Sequence, residues 1–359
     1  MKKKAIFNGF DGQILGILGG GQLGKMIALA AARLGVKTII MDPNKNAPAF
    51  QVANKVFVSS FNNKENLKKF AKSCNAITYE FENIPLDSLR LISEYNNIFP
   101  GIYPLEISQD RLIEKNFLTQ LNIKVANYHP IEHKNDILKA LKNLQGKGIL
   151  KTRKLGYDGK GQLYFDLNKK IKPKIPLIRK NAFIMEEVIN FKKEISVIIV
   201  RDSYGKVFSY EPSENLHKEG ILRETNFPAK LSNKTLKEAK NIAKKIAIKL
   251  NIVGLLAIEM FVTKSNTIIV NEIAPRPHNT GHWTIDACNI SQFEALVRVI
   301  FKAPISNLKY FFNCKMINLL GENYYLYKKL LNKQNYKLHL YGKEHHKSKR
   351  KMGHINIIT

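Results

Sequence analysis

Cysteine is nearly missing: Cys74, Cys288 and Cys314 are the only three in 359 residues, and they lie far apart. Their odd number and lack of C-x-x-C spacing argue against a disulfide framework or a zinc cluster, leaving three reduced, inert thiols. Long apolar runs are missing too, since no stretch approaches the roughly 20 residues needed to cross a bilayer. Met1-Lys2-Lys3-Lys4 has the charge of a signal-peptide start, but Ala5-Ile6-Phe7 gives way at once to Asn8-Gly9-Phe10-Asp11. No apolar segment follows, so a cytoplasmic chain without membrane contact is expected. Acidic residues are scarce, 29 against 58 Lys and Arg, for a net charge of +29. Such a surplus can mark a nucleic-acid binder. Here the lysines are scattered rather than clustered, so no nucleic-acid partner is expected, although a basic surface would attract anionic metabolites.

What remains is an ordinary globular composition, 44% hydrophobic, long enough for two or three domains. Residues 13–18 form an apolar run that stops at Gly19-Gly20-Gly21. Leu23, Met26, Ile27, Ala30 and Leu34 then recur at helical spacing, and Val36 to Asp42 reads as a second strand. The alternation continues through 56–58, 63–73 and 76–80, predicting a doubly wound, Rossmann-like α/β domain over residues 1–107. From 108 to 145 the pattern reads as helical with a break at Pro130. A Gly/Lys-rich segment at 146–162, strand-like runs at 183–188 and 194–200, a helix at 233–250 and paired strands at 255–262 and 267–273 predict an α+β domain over 108–304. Short alternating runs in 305–359 predict a small β-rich C-terminal domain.

Four segments carry chemistry. Gly19-Gly20-Gly21-Gln22-Leu23-Gly24 opens a helix, where backbone N–H groups and the helix dipole favour an anion. With Asp42 about 20 residues on, it mimics a dinucleotide fingerprint, though a ribose 5-phosphate would suit it equally. Gly156 to Gln162 lies between two strands with Lys151 just before it, a glycine hairpin able to cover a triphosphate. Glu259 and Glu272 each sit inside an otherwise apolar strand. Two buried carboxylates on neighbouring strands call for a cation between them, and with Asn271 beside them the oxygen donors suit Mg²⁺. The run Ala274 to Thr284 packs Arg276, His278, Asn279, His282 and the only Trp behind two prolines, a donor-rich loop where an anionic intermediate could be held.

Taken in order, these segments resemble the ATP-grasp superfamily over nearly the whole chain. Within it, GGGQLGKM at 19–26, TYEFENIP at 78–85, GYDGKGQ at 156–162, ENLHKEGI at 214–221, NEIAPRPHNTGHWT at 271–284 and RKMGHIN at 350–356 resemble the N5-carboxyaminoimidazole ribonucleotide synthetases of purine synthesis. The resemblance implies a homodimeric ligase that uses ATP, Mg²⁺ (with Mn²⁺ as an alternative), bicarbonate and 5-aminoimidazole ribonucleotide. It implies an ATP site of Arg111, Lys151, Gly156, Tyr157, Asp158, Gly159, Lys160, Gly161, Gln162, Glu186, Glu187, Val188, Ile189, Glu194, His217, Asn271 and Glu272. Glu259 and Glu272 would hold the metal. Gly21, Gln22, Leu23, Tyr79, Glu80, Arg276, His278, Asn279, Lys343, Arg350 and Lys351 would meet the ribonucleotide and bicarbonate. Asp158, Arg276, His278 and Lys351 are the expected catalytic groups, with Asp158 or His278 taking the amine proton. The sequence departs from the family pattern in about ten residues ahead of the first strand and in the basic insert Glu344-His345-His346-Lys347-Ser348. Rival readings are a formate-using ligase of the same fold and, from the glycine turn alone, a dinucleotide oxidoreductase.

Overall fold

The computed structural model describes residues 7–156, 159, 161–169 and 175–359. Short apolar runs at helix-length spacing produce parallel strands, because each crossover helix returns the chain to the same end of the sheet. β1 (Ile14–Leu18), α1 (Gln22–Arg33), β2 (Lys37–Asp42), β3 (Lys55–Val58), α2 (Lys64–Lys72), β4 (Ala76–Tyr79), α3 (Leu86–Ser93) and β5 (Ile98–Phe99) form this layer. The five strands lie in the order β3-β2-β1-β4-β5. The chain reverses direction across the sheet between β1 and β4, and the crevice beyond their carboxyl ends is where such sheets hold ligands.

Next come α4 (Ile102–Ser108), α5 (Arg111–Gln120), β6 (Tyr128–Ile131), α6 (Lys134–Asn143), β7 (Lys147–Thr152), β8 (Gln162–Asp166) and β9 (Phe183–Glu186). The strands make an antiparallel sheet ordered β6-β9-β7-β8, covered by Ile137, Ala140 and Leu141 of α6. The helical reading of 108–145 needs correction here. Pro130 lies in a strand, not in a helix break, and β6 is at the sheet edge, where a residue without an N–H is tolerated.

The remaining elements are β10 (Phe191–Arg201), β11 (Val207–Ser209), β12 (Ser213–Lys218), β13 (Ile221–Phe227), α7 (Asn233–Lys249), β14 (Gly254–Thr263), β15 (Ile268–Ala274), α8 (Thr284–Ala287), α9 (Gln292–Ile300), β16 (Cys314–Leu320), α10 (Tyr327–Leu330), β17 (Tyr336–Leu340) and β18 (Lys351–Ile358). They build a nine-stranded sheet ordered β15-β14-β10-β12-β13-β16-β18-β17, with β11 beside β10. β10 shows the two-residue period at work. Its Ile195, Val197 and Ile199 face Ala239, Ala243 and Ile246 of α7, while Ile198 and Val200 face Phe293, Leu296 and Val297 of α9. The C-terminal strands are β-rich as the sequence implied, and they extend this sheet through β13 and β16.

Candidate active site

A cavity of about 400 Å³ runs between the two antiparallel sheets and reaches the tail. At one end it is lined by Lys151, Arg153, Gly156, Gly159, Gln162, Glu194 and His217. Arg111, Glu114, Glu259, Asn271 and Glu272 form its middle, and Arg276, His278, Asn279 and Lys351 its other end. These groups come from β7, β8, β10, β12, α5, β14, β15, the 275–283 loop and the first residue of β18. Tyr157, Asp158 and Lys160 of the expected set lie outside the described residues.

At the first end, Glu186 is the hub. Its Oε2 accepts from Lys151 Nζ at 2.9 Å and lies 3.1 Å from Lys115 Nζ. Burial alone would raise its pKa, but Lys151, Lys115 and Arg111 overcome that and hold it at about 2. Lys151 itself is pushed down by burial, with Arg111 and Lys115 repelling it against the pull of Glu186. Three cations around one carboxylate leave surplus positive charge, which a phosphate would neutralise. Arg153 forks onto Asp110 at 3.0 and 2.9 Å, and Asp110 also caps α5. This ties the helix bearing Arg111 to the end of β7. His217 Nδ1 lies 2.5 Å from Glu194 Oε2. Burial disfavours the charged ring there, but Glu194, Glu259 and Glu272 outweigh it and raise its pKa.

In the middle, β14 and β15 pair so that Glu259 faces Glu272. Burial, and then repulsion from Glu272, lift the Glu259 pKa to about 7. Glu114 is lifted to about 8 by the same two causes, although Ile273 N–H donates to it at 2.7 Å. Arg111 lies 3.6 Å from Glu272. Carboxylates that repel each other in a polar cleft fit a divalent cation. Among the described residues no group of three or more His, Cys, Asp or Glu is arranged to hold a metal alone.

At the other end, Arg276 is held by Glu82 at 2.5 Å. His278 Nδ1 accepts from Thr280 N–H at 3.4 Å and meets Thr280 Oγ1 at 2.9 Å, which leaves the ring proton on Nε2. Burial, then Arg276 and Lys351, push its pKa well below the usual histidine range, so the ring is neutral. Trp283 anchors the loop, stacked on Phe227 with centroids 3.4 Å apart.

Several expected ligand groups are engaged elsewhere. The amides of the glycine turn already have anions of their own. Gly21 and Gly24 donate to the Glu80 carboxylate at 2.8 and 3.0 Å, and Gly20 donates to Asp42 at 2.7 Å. With Asp42 and these amides committed, the dinucleotide reading loses its site. Leu23 and Tyr79 are core side chains, and the Tyr79 hydroxyl donates to Gly101 O at 3.0 Å. Gln22 is half-buried in the first turn of α1. Glu187 accepts from Asn127 at 2.7 Å, so its carboxylate braces the chain link rather than lining the cleft. Val188 and Ile189 are half-buried in the segment between β9 and β10. Lys343 lies over the Tyr341 ring, and Arg350 donates to the carbonyls of Glu344 and His345 in the basic insert. Gly161 adjoins Thr152 where β8 meets β7.

The sequence reading missed Glu82, Asp110, Glu114, Lys115 and Arg153. Glu82 lies inside a quoted motif and Arg153 lies two residues beyond Lys151, so both had a signal. The other three look like ordinary charges on a helix start. The glycine turn also supplies a prediction. A Cβ on Gly21 would lie 2.5 Å from Glu80 Oε1, so Gly21→Ala should displace the carboxylate from two charge-assisted bonds. A loss of about 3 kcal/mol in urea unfolding is expected.

The paired carboxylates and the cationic hub between two antiparallel sheets define an ATP-grasp enzyme, an ATP-dependent ligase. Residues 116–293 match the ATP-grasp domain, 13–109 the ribonucleotide synthetase preATP-grasp domain, and 314–359 the phosphoribosylaminoimidazole carboxylase C-terminal domain. The chain belongs to the N5-carboxyaminoimidazole ribonucleotide synthase family. It is 41% identical to the Brucella melitensis N5-carboxyaminoimidazole ribonucleotide synthase, over 97% of this chain and 96% of that protein. The Staphylococcus aureus N5-carboxyaminoimidazole synthetase complexed with ADP superposes with a TM-score of 0.90 at 34% identity, covering 97% of this chain and 93% of that one. The Aspergillus clavatus synthase in complex with ADP and 5-aminoimidazole ribonucleotide superposes with a TM-score of 0.86 at 27% identity, covering 99% and 95%. Among the described residues no helix is long and apolar enough to cross a membrane.

Proposed function

We propose that the chain uses ATP to carboxylate the exocyclic amine of 5-aminoimidazole ribonucleotide with bicarbonate, giving N5-carboxyaminoimidazole ribonucleotide, ADP and phosphate in purine synthesis. The observation that carries this reading is a single cleft with facing Glu259 and Glu272 between two basic ends. One end suits a triphosphate and the other an anionic ribonucleotide.

In this reading Lys151 and Arg111 orient the ATP phosphates, with Glu186 keeping the lysine in place. Glu259 and Glu272 hold Mg²⁺, which when bound neutralises phosphate charge as the γ-phosphoryl is transferred. A bicarbonate oxygen attacks the γ-phosphorus, the bond to the β-bridging oxygen breaks, and ADP leaves. Arg276 and the His278 Nε2–H stabilise the oxygens of the resulting carboxyphosphate by preorganised donation. The substrate amine then bonds to the carboxyl carbon as the carbon–oxygen bond to phosphorus breaks. The leaving phosphate takes the amine proton. His278 is no longer the base in this scheme, because its basic nitrogen is committed to Thr280.

The test is ADP release with Mg²⁺-ATP and bicarbonate, with and without the ribonucleotide. At least tenfold stimulation by the ribonucleotide is expected, roughly 1.4 kcal/mol of barrier or more. Replacing bicarbonate by formate should remove it. Stimulation by formate or by glycinamide ribonucleotide would reassign the substrates while leaving the fold untouched.

A further inference from the structure

Two motif histidines, His282 and His354, play no part in the mechanism above, yet both are fully buried. They stack, with ring centroids 4.6 Å apart and planes 24° from parallel. His339 continues the stack on the far side of His354 at 4.4 Å and 14°. His339 and His354 are register partners on β17 and β18, so the stack joins the C-terminal strands to the substrate loop. A Cβ on Gly353 would lie 2.7 Å from His339 O, so the glycine beside His354 lets these strands approach.

Both ends of the stack are tied down. His339 Nε2 donates to Asp286 Oδ2 at 2.7 Å, and Asn356 Nδ2 donates to the same oxygen at 2.6 Å and to His282 O at 3.1 Å. Tyr341 OH meets His354 Nδ1 at 2.9 Å. At the inner end, His282 Nε2 lies 3.1 Å from Asn279 Oδ1, and Asn279 lines the cleft. His282 Nδ1 has no hydrogen-bond partner among the described residues, so its one proton is needed on Nε2. A carboxamide oxygen accepts and its NH₂ donates, so the bond fixes which way Asn279 points.

We propose that His282 is a positioning residue: gripped in the three-ring stack, its Nε2–H holds the Asn279 oxygen and turns the Asn279 NH₂ toward the cleft as a donor to an anionic or carbonyl oxygen of the ribonucleotide. Burial, then His339 and Lys351, push the His282 pKa well down, in keeping with a neutral ring that has one proton to give. The proposal rests on the reading that the 276–279 end of the cleft takes the ribonucleotide.

The experiment has two parts on the full chain. First, ¹⁵N-histidine spectra, with His282 assigned through His282→Gln, should show an Nε2–H tautomer whose nitrogen shift moves in Asn279→Ala. Second, His282→Leu should raise KM for the ribonucleotide about tenfold, the worth of one oriented hydrogen bond, with KM for ATP little changed. His282→Gln, which keeps an N–H at similar reach, should recover most of that loss. An Nδ1–H tautomer, or a folded His282→Leu enzyme with unchanged ribonucleotide KM, overturns the proposal. If the leucine variant does not fold, the wild-type tautomer decides. If the ribonucleotide is not the substrate, turnover fails for every form, while the tautomer and its response to Asn279→Ala still decide whether His282 orients Asn279.

Discussion

Glu259→Gln is expected to abolish ribonucleotide-dependent turnover and, at the same time, to make the free protein harder to melt at pH 8. In the proposed mechanism the first effect follows from removing one of the two carboxylates that would hold the cation neutralising the phosphates. A fall of about 10³-fold in kcat, roughly 4 kcal/mol, is expected. The second follows from the electrostatics of the unliganded cleft. Burial and Glu272 raise the Glu259 pKa to about 7, above the 4.5 of an unperturbed glutamate. A carboxyl group whose folded pKa is raised contributes stability below its unfolded pKa. That stability is lost as pH rises through the folded value, because the unfolded chain releases its proton more readily. Wild-type stability should therefore decline between about pH 4.5 and 7 from this group and stay low above it. Glutamine carries no such penalty. Thermal melting from pH 5 to 8 checks this, with added Mg²⁺ stabilising the wild type at pH 8 and not the variant. A variant that melts lower than wild type at pH 8 would show that Glu259 is a structural ion-pair partner instead.

Glu186→Ala should have the largest effect on stability. Among the described residues it removes the only carboxylate paired with Lys151 and Lys115, whose side chains are almost wholly buried. Removing one partner of a buried ionic group typically costs 3–5 kcal/mol, because the charge left behind has neither water nor a partner, and about that loss is expected in urea unfolding at pH 7. The Glu186 pKa is depressed to about 2, so its contribution is present above the unfolded value of 4.5 and is lost as pH falls toward 2. The variant should therefore show a flatter acid limb than wild type. Its KM for ATP should also rise, because Lys151 loses the partner that fixes its ammonium group. A variant of unchanged stability would mean that the cluster is solvated and Glu186 is no hub.

Features set by local pattern could be read from the sequence. Glu259 and Glu272 stood out because acids interrupt apolar strands, and their pairing followed from the short turn at Lys264-Ser265-Asn266. The β1–α1–β2 unit was equally plain from its change of period at Gly19. What could not be read were occupants supplied by distant chain. The glycine turn advertised an anion site, but the anion is Glu80, 59 residues from Gly21 and 56 from Gly24. Glu114 and Lys115 lie on a helix whose charges look like a solvated face, and only the docking of α5 against β15 and β9 buries them. Glu187 and Glu186 are neighbours with identical side chains, yet Glu186 ends β9 facing the lysines while Glu187, just past the strand, meets Asn127. Pro130 misled because the same residue that breaks a helix is harmless at a sheet edge.

In the proposed mechanism bicarbonate, not water, attacks the γ-phosphorus in this cleft. The most direct measurement is the fate of oxygen when freshly dissolved [¹⁸O]bicarbonate, ATP, Mg²⁺ and 5-aminoimidazole ribonucleotide are turned over and the released phosphate is analysed by mass. One ¹⁸O is expected in the phosphate, with formation of the carboxylated ribonucleotide. Unlabelled phosphate released at the same rate would contradict it, because the ATP would then be spent on water.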